Sequence, residues 1–148
     1  MHRLNPVCFQ TEMVQLQNQG KKVFLSIGGA TYPIMLDSLQ EKEVFVSSVG
    51  VLLDKWGFDG LDIDLEGSSL NFGNLTIDSV GDPRLTFMIE AIQEIMANYR
   101  AKHSKKLLLT MAPETHYVHG GLSADLVVNK HGGAYLPMIE ALRDSIDM

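Results

Sequence analysis

The stretch Phe58-Asp59-Gly60-Leu61-Asp62-Ile63-Asp64-Leu65-Glu66 decides the fold. Positions 59–66 hold four acidic residues, and Leu61, Ile63 and Leu65 alternate with the last three. Successive side chains of a β-strand point to opposite faces. Read as a strand, the stretch puts Asp62, Asp64 and Glu66 on one face and the three aliphatic residues on the other. Three neighbouring carboxylates repel, and taking them out of water is costly unless they share protons or accept hydrogen bonds. Such crowding raises the proton affinity of a carboxyl group, which is what a general acid working near neutral pH needs.

Other readings exist. A solvated acidic loop would not alternate with Leu, Ile and Leu. Asp-x-Asp-x-Glu also offers oxygens to calcium or magnesium, although a calcium loop has a turn glycine inside the run and more polar residues between its ligands. The spacing alone leaves catalytic carboxylates, a metal site and a structural network open; the crowding argument points to the first. Asp59 has the opposite parity and is assigned a structural role.

Outward from this stretch, the period changes from two to about 3.6. From about Leu39 to Trp56, Phe45, Val49, Leu52, Leu53 and Trp56 fall at helical spacing, and Gly57 sits where a helix stops. Before it, Lys22-Val23-Phe24-Leu25-Ser26-Ile27 reads as a strand covered on both sides, followed by Gly28-Gly29, where the backbone can turn or pass close to another group. Strand, helix and strand within about 45 residues make a βαβ unit and imply parallel pairing. Residues 8–19 read as a short helix ending near Gly20.

After the acidic stretch, residues 67–81 form a loop rich in Gly, Ser and Asn. Asp82-Pro83 then opens a helix with Asp as N-cap and Pro at the first position. Its apolar stripe is Leu85, Met88, Ile89, Ile92, Ile95, Met96 and Tyr99. A third strand is expected over Leu107 to Ala112. A long loop with Glu114, Tyr117, His119, Gly120, Gly121 and His131 follows, then a helix from about Tyr135 to Ser145. His116, His119 and His131 lack the partner spacing of a zinc site and read as loop histidines.

Three motifs in order carry a family resemblance. Asp59-Gly60-Leu61-Asp62-Ile63-Asp64-Leu65-Glu66 resembles the DGxDxDxE signature of glycoside hydrolase family 18, the chitinases and their relatives. Ser26-Ile27-Gly28-Gly29 resembles the family's SxGG motif at the end of its third barrel strand. Leu109-Thr110-Met111-Ala112-Pro113-Glu114 resembles the fifth strand of bacterial and fungal chitinases. The resemblance implies an α/β fold: a fragment of a TIM (β/α)8 barrel covering about strands 3 to 5 with their helices, with residues 1–148 a partial catalytic domain. Nothing in the sequence corresponds to the other five strands, including the sixth, from which the family takes a tyrosine. A piece with two open sheet edges is expected to aggregate or to pair with a second copy.

The resemblance also implies roles. Glu66 would be the general acid and Asp64 the residue that orients the substrate's acetamido group, with Asp62 behind it sharing a proton. Met111, Ala112, Glu114 and Tyr117 would line the sugar cleft, while Ser26, Gly28, Gly29, Asp59 and Gly60 would support the site. Ser26 is a candidate hydrogen-bond donor to Asp62. The implied reaction is retaining, substrate-assisted hydrolysis of β-1,4 linkages between N-acetylglucosamine units in chitin or its oligosaccharides, with no cofactor and no metal. The alternatives are a non-catalytic glycan-binding protein and an inactive remnant; retention of Glu66 argues against the former. The full-length parent is expected to be secreted.

Composition sets outer limits. The chain of 148 residues is 45% hydrophobic and 20% charged, with a formal net charge of −6. That is a globular balance, and no basic cluster exceeds a Lys-Lys pair, which disfavours nucleic acid and anionic membranes as partners. No apolar run approaches the roughly 20 residues that span a bilayer. The first residues lack the apolar core of a signal peptide. Cys8 is the single cysteine, so no internal disulfide forms. Asn74-Leu75-Thr76 fits a glycosylation acceptor.

Overall fold

The computed structural model describes residues 5–70, 81–119 and 133–147. Three parallel strands form one sheet in the order β1 (Phe24–Gly28), β2 (Gly60–Asp64) and β3 (Leu108–Met111). The register pairs Ser26 with Asp62, Gly28 with Asp64, and Asp62 with Thr110. The helices described are α1 (Pro6–Asn18), α2 (Leu39–Trp56), α3 (Pro83–His103) and α4 (Leu136–Leu142). Strand, helix and strand recur twice with parallel pairing, as the sequence predicts.

Local chemistry sets the helix ends. Ser38 Oγ accepts the Glu41 N–H at the start of α2, and Gly57 closes it at φ 76° with its N–H on Leu53 O. Asp82 caps α3 through the Arg84 N–H at 2.9 Å, with Pro83 following. α1 begins earlier than residue 8 because Asn5-Pro6 is also a cap-and-proline pair: Asn5 Oδ1 accepts the N–H groups of Val7 and Cys8.

Burial corrects two apolar faces. In α2 the buried residues are Val46, Val49 and Leu53, whereas Leu52 is exposed and Phe45 and Trp56 are only partly covered. The stripe read from spacing omits Val46 and is otherwise too wide, because α2 packs on α3 with a narrower, slightly rotated face. In α3 the expected residues are buried except Met96, which is partly so, and Ala91 joins them. A residue without side-chain bulk lets the helix approach closely, and its burial carries little signal in the sequence.

The last helix is shorter than expected. α4 ends at Leu142, whose carbonyl accepts the N–H groups of both Ser145 and Ile146. That turn brings Asp147 onto β3, where its N–H donates to Leu109 O at 2.8 Å and its Oδ2 accepts the Leu109 N–H at 2.9 Å. Lys106 Nζ lies 2.7 Å from Asp147 Oδ1. Burial pushes the Asp147 carboxyl up, but the Lys106 and Leu109 donors outweigh it and hold the group below its ordinary value. Backbone pairing of residue 147 thus competes with, and ends, the helix.

The acidic strand also ends early. β2 stops at Asp64, so Glu66 lies two residues past it rather than within it. The alternation nevertheless persists: Leu61, Ile63 and Leu65 are at most 1% exposed, while Asp62, Asp64 and Glu66 are half-buried. The chain then enters a 3-10 turn at Gly67–Leu70. Residues 71–80 and 120–132 lie outside the described residues, and with them the Asn74-Leu75-Thr76 acceptor, Gly120, Gly121 and His131.

Candidate active site

Two glycines let the strands come together. Gly28 has φ 125°, and a Cβ there would sit 2.0 Å from Asp64 O. The Gly29 N–H donates to the same carbonyl at 2.7 Å. β1 therefore crosses the end of β2 at backbone distance, which no side chain allows. At Gly60 a Cβ would meet the Phe24 ring at 2.4 Å and Leu108 O at 2.7 Å. The Phe24 ring fills the space over Gly60 and closes the lower end of the acidic face.

Asp62 is clamped. Ser26 Oγ donates to its Oδ2 at 2.8 Å, the contact anticipated from sequence, and Thr110 Oγ1 donates to its Oδ1 at 2.7 Å. Each neighbouring strand thus contributes one hydroxyl to the central carboxylate. Thr110 was not singled out in the sequence, although its parity in the Leu109–Glu114 motif is the same as that of Ala112. Asp59 faces away from this group: its Oδ2 accepts from Val23 N and from Gln17 Nε2, and Lys22 Nζ stands 3.6 Å from its Oδ1. Burial raises the Asp59 carboxyl, but the Gln17 and Val23 donors and the charges of Lys22 and Lys105 leave it below its ordinary value. Asp59 ties α1 and β1 to the foot of β2.

Glu66 is held by its neighbours along the chain. The Leu65 N–H donates to Tyr135 Oη at 2.6 Å, and the Gly67 N–H donates to Tyr117 Oη at 2.9 Å. Tyr135 is fully buried and its hydroxyl also reaches the carbonyls of Ile63 and Leu65, each at 3.2 Å. Two phenols therefore fix the peptide groups on either side of Glu66. Burial is the main reason both phenols are held above their ordinary range. Tyr135 was read only as the start of a helix; nothing local in the sequence marks it as a partner of Leu65.

The Glu66 carboxyl is pushed up from its ordinary value. Desolvation is the largest cause, followed by the charges of Asp64 and Glu114 and a side-chain hydrogen bond with Glu114. Glu114 precedes the 3-10 turn Thr115–Tyr117. The His116 ring nitrogen Nδ1 lies 3.4 Å from Glu114 Oε2, and the ring packs against Tyr117 at 3.9 Å between centroids.

Two of the residues assigned to the sugar cleft sit differently. Met111 pairs with Ile63 in the register and packs against the apolar core, so it shares the face opposite Asp62. Period-two counting from Thr110 gives the same result. Tyr117 is 4% exposed, and its hydroxyl is engaged with Gly67; it supports the Glu66 backbone from below the surface. Ala112 and Glu114 are exposed, and the Ala112 N–H donates to Ile63 O at 2.9 Å, continuing the β2–β3 ladder. Among the described residues, no group of three His, Cys, Asp or Glu side chains is arranged to hold a metal ion, and no helix is long and apolar enough to cross a membrane.

Residues 8–136 match the glycosyl hydrolases family 18. The chain belongs to that family. Chitinase Chi52 of Paenibacillus xylanexedens is 39% identical over 142 residues, which cover 95% of this chain and 26% of that protein. A family GH18 chitinase from Chromobacterium violaceum superposes with a TM-score of 0.75 at 34% identity, covering 95% of this chain and 34% of the other. A mutant class V chitinase from Nicotiana tobaccum, solved in complex with NAG4, matches with a TM-score of 0.57 at 27% identity over 97% of this chain and 37% of that one. The family 18 chain thus spans between about a quarter and two-fifths of each of these three proteins. Its three parallel strands and their helices are a section of the family's TIM barrel, and the acidic face is the one that points to the barrel interior.

Proposed function

We propose that this chain carries the acid–base carboxylates of a chitinase that hydrolyses β-1,4 linkages between N-acetylglucosamine units with retention of configuration. Glu66 gives its proton to the glycosidic oxygen as the carbon–oxygen bond breaks. The acetamido carbonyl oxygen of the substrate attacks the anomeric carbon from the opposite side, forming an oxazolinium ion. Asp64 orients the acetamido N–H and balances the positive charge. Glu66, now a carboxylate, takes a proton from a water that opens the ring, and the second inversion restores the original configuration. Asp62, accepting from Ser26 and Thr110, anchors the base of the acidic row beneath Asp64. The substrate is a polymer found outside cells, which implies secretion of the full-length protein.

The observation that carries this reading is the position of Glu66. It stands at the C-terminal end of the central strand, where barrel enzymes do their chemistry. Its peptide groups are fixed by two buried tyrosines, and desolvation, followed by the charges of Asp64 and Glu114, pushes its carboxyl up from the ordinary glutamate value. The test is hydrolysis of a chromogenic chito-oligosaccharide by the full-length protein and its Glu66→Gln variant. Loss of a general acid lowers kcat by about 10²–10⁴-fold. Wild-type turnover by a folded Glu66→Gln protein would overturn the assignment.

A further inference from the structure

We propose that Tyr135 and Tyr117 are positioning residues for Glu66: their hydroxyls stand in for a strand neighbour beyond the end of β2 and set the direction in which Glu66 leaves the sheet. The inference rests on Glu66 being the general acid and adds the groups that aim it.

The ladder between β2 and β3 stops before Glu66. Ile63 pairs with Met111, and its carbonyl accepts the Ala112 N–H at 2.9 Å. One pair further, a parallel ladder would give the Leu65 N–H to the Ala112 carbonyl and the Leu65 carbonyl to the Glu114 N–H. β3 ends at Met111 instead. A single phenol meets both Leu65 groups: Tyr135 Oη accepts the Leu65 N–H at 2.6 Å and donates its hydrogen between the carbonyls of Ile63 and Leu65, each at 3.2 Å. Beyond Glu66, Tyr117 Oη accepts the Gly67 N–H at 2.9 Å. The Tyr135 position needs a group that accepts and donates at once, which a hydroxyl does and a plain ring does not. Burial holds that phenol above its ordinary range, so it keeps its hydrogen.

The two tyrosines act as one unit. The Tyr135 N–H donates to Tyr117 O at 3.2 Å, and the ring centroids are 6.2 Å apart. Tyr117 closes the 3-10 turn through its N–H on Glu114 O at 2.9 Å, and Tyr135 opens α4, its carbonyl accepting the Ile139 N–H at 2.8 Å. Both rings are buried, so neither oxygen can follow the chain if it shifts. With the peptides on both sides held, Glu66 keeps only its side-chain torsions. A general acid must hold its proton in line with the departing oxygen, and a misplacement of about 1 Å can cost about a hundredfold. Lost aim harms only the step that needs the proton.

The test compares two substrates in the full-length protein. The leaving sugar of tetra-N-acetylchitotetraose must be protonated; the dinitrophenolate of dinitrophenyl di-N-acetylchitobioside departs unaided. In both, kcat/KM covers the steps through departure of that group. In Tyr135→Phe, kcat/KM should fall about tenfold to hundredfold for the tetrasaccharide and stay within about threefold for the aryl glycoside. Tyr117→Phe should show the same selective loss, about threefold to tenfold. Each variant keeps its ring and loses one oxygen. Tyr99→Phe is the matched control: it removes a buried phenol that donates to Phe58 O at 3.1 Å, at the other end of β2, and should leave the ratio between the substrates as in the wild type. Should Tyr135→Phe not melt cooperatively, Tyr117→Phe carries the test. Losses of equal size on both substrates, or an unchanged ratio, overturn the proposal. Glu66→Gln separates the two readings. A selective loss there without one in the tyrosine variants sinks this inference alone, whereas full tetrasaccharide turnover by Glu66→Gln sinks the general-acid reading.

Discussion

Leu61, Ile63 and Leu65 are at most 1% exposed in the core shared with α2 and α3, whereas Asp62, Asp64 and Glu66, one residue away each time, keep partial access to solvent. The first face is held by the removal of apolar surface from water, which is insensitive to the exact partner. The second is held by directed contacts: two hydroxyls on Asp62 and two phenols on the peptides around Glu66. One strand therefore does two jobs, because its period of two separates them by a single residue. A core face tolerates repacking; a polar face fails when one donor is lost.

Three substitutions in the full-length protein test that contrast, each read as a shift in denaturation free energy. The largest effect is expected where both faces depend on one backbone contact. Gly28→Ala would drive a Cβ to 2.0 Å from Asp64 O, in a backbone conformation that alanine rarely adopts, and should cost about 4 kcal/mol or more. A near-neutral result would mean that β1 and β2 do not meet as closely as described. Next, Leu61→Ala should cost roughly 3 kcal/mol through lost burial and the cavity left behind, with pH–rate behaviour unchanged wherever the protein stays folded. Last, Thr110→Val should cost only about 1–2 kcal/mol by removing one donor from Asp62, yet lower kcat more than Leu61→Ala does. Should the core substitution disturb turnover more than the loss of the Thr110 hydroxyl, the separation of the two faces along β2 is wrong.

Much of this was legible because it is local. The bounds of α2 follow from Ser38, the apolar period and Gly57. Asp82-Pro83 announces α3, and Asn5-Pro6 carries the same cap-and-proline signal for α1. The alternation at 61–66 separates core from site even though the strand itself stops at Asp64. Where the reading went astray, a local signal was outweighed by a distant partner. Residues 143–145 are compatible with helix, but the pairing of Asp147 with Leu109 ends α4 sooner. Tyr117 resembles a sugar-binding aromatic by its place after a strand, and only its contact with Gly67 shows it turned inward.

The sequence by itself determined which side chains of β2 share a face, where the helices begin, and the family to which the chain belongs, because those follow from neighbours within a turn or a pleat. Tertiary structure alone decided what each carboxylate meets. Asp62 finds Thr110 across 48 residues, Gly67 finds Tyr117 across 50, and Leu65 finds Tyr135 across 70. Periodicity fixes the direction in which a side chain points. It carries no information about which distant hydroxyl or carboxyl the folded chain will bring to meet it, and the proton affinity of Glu66 depends on that meeting.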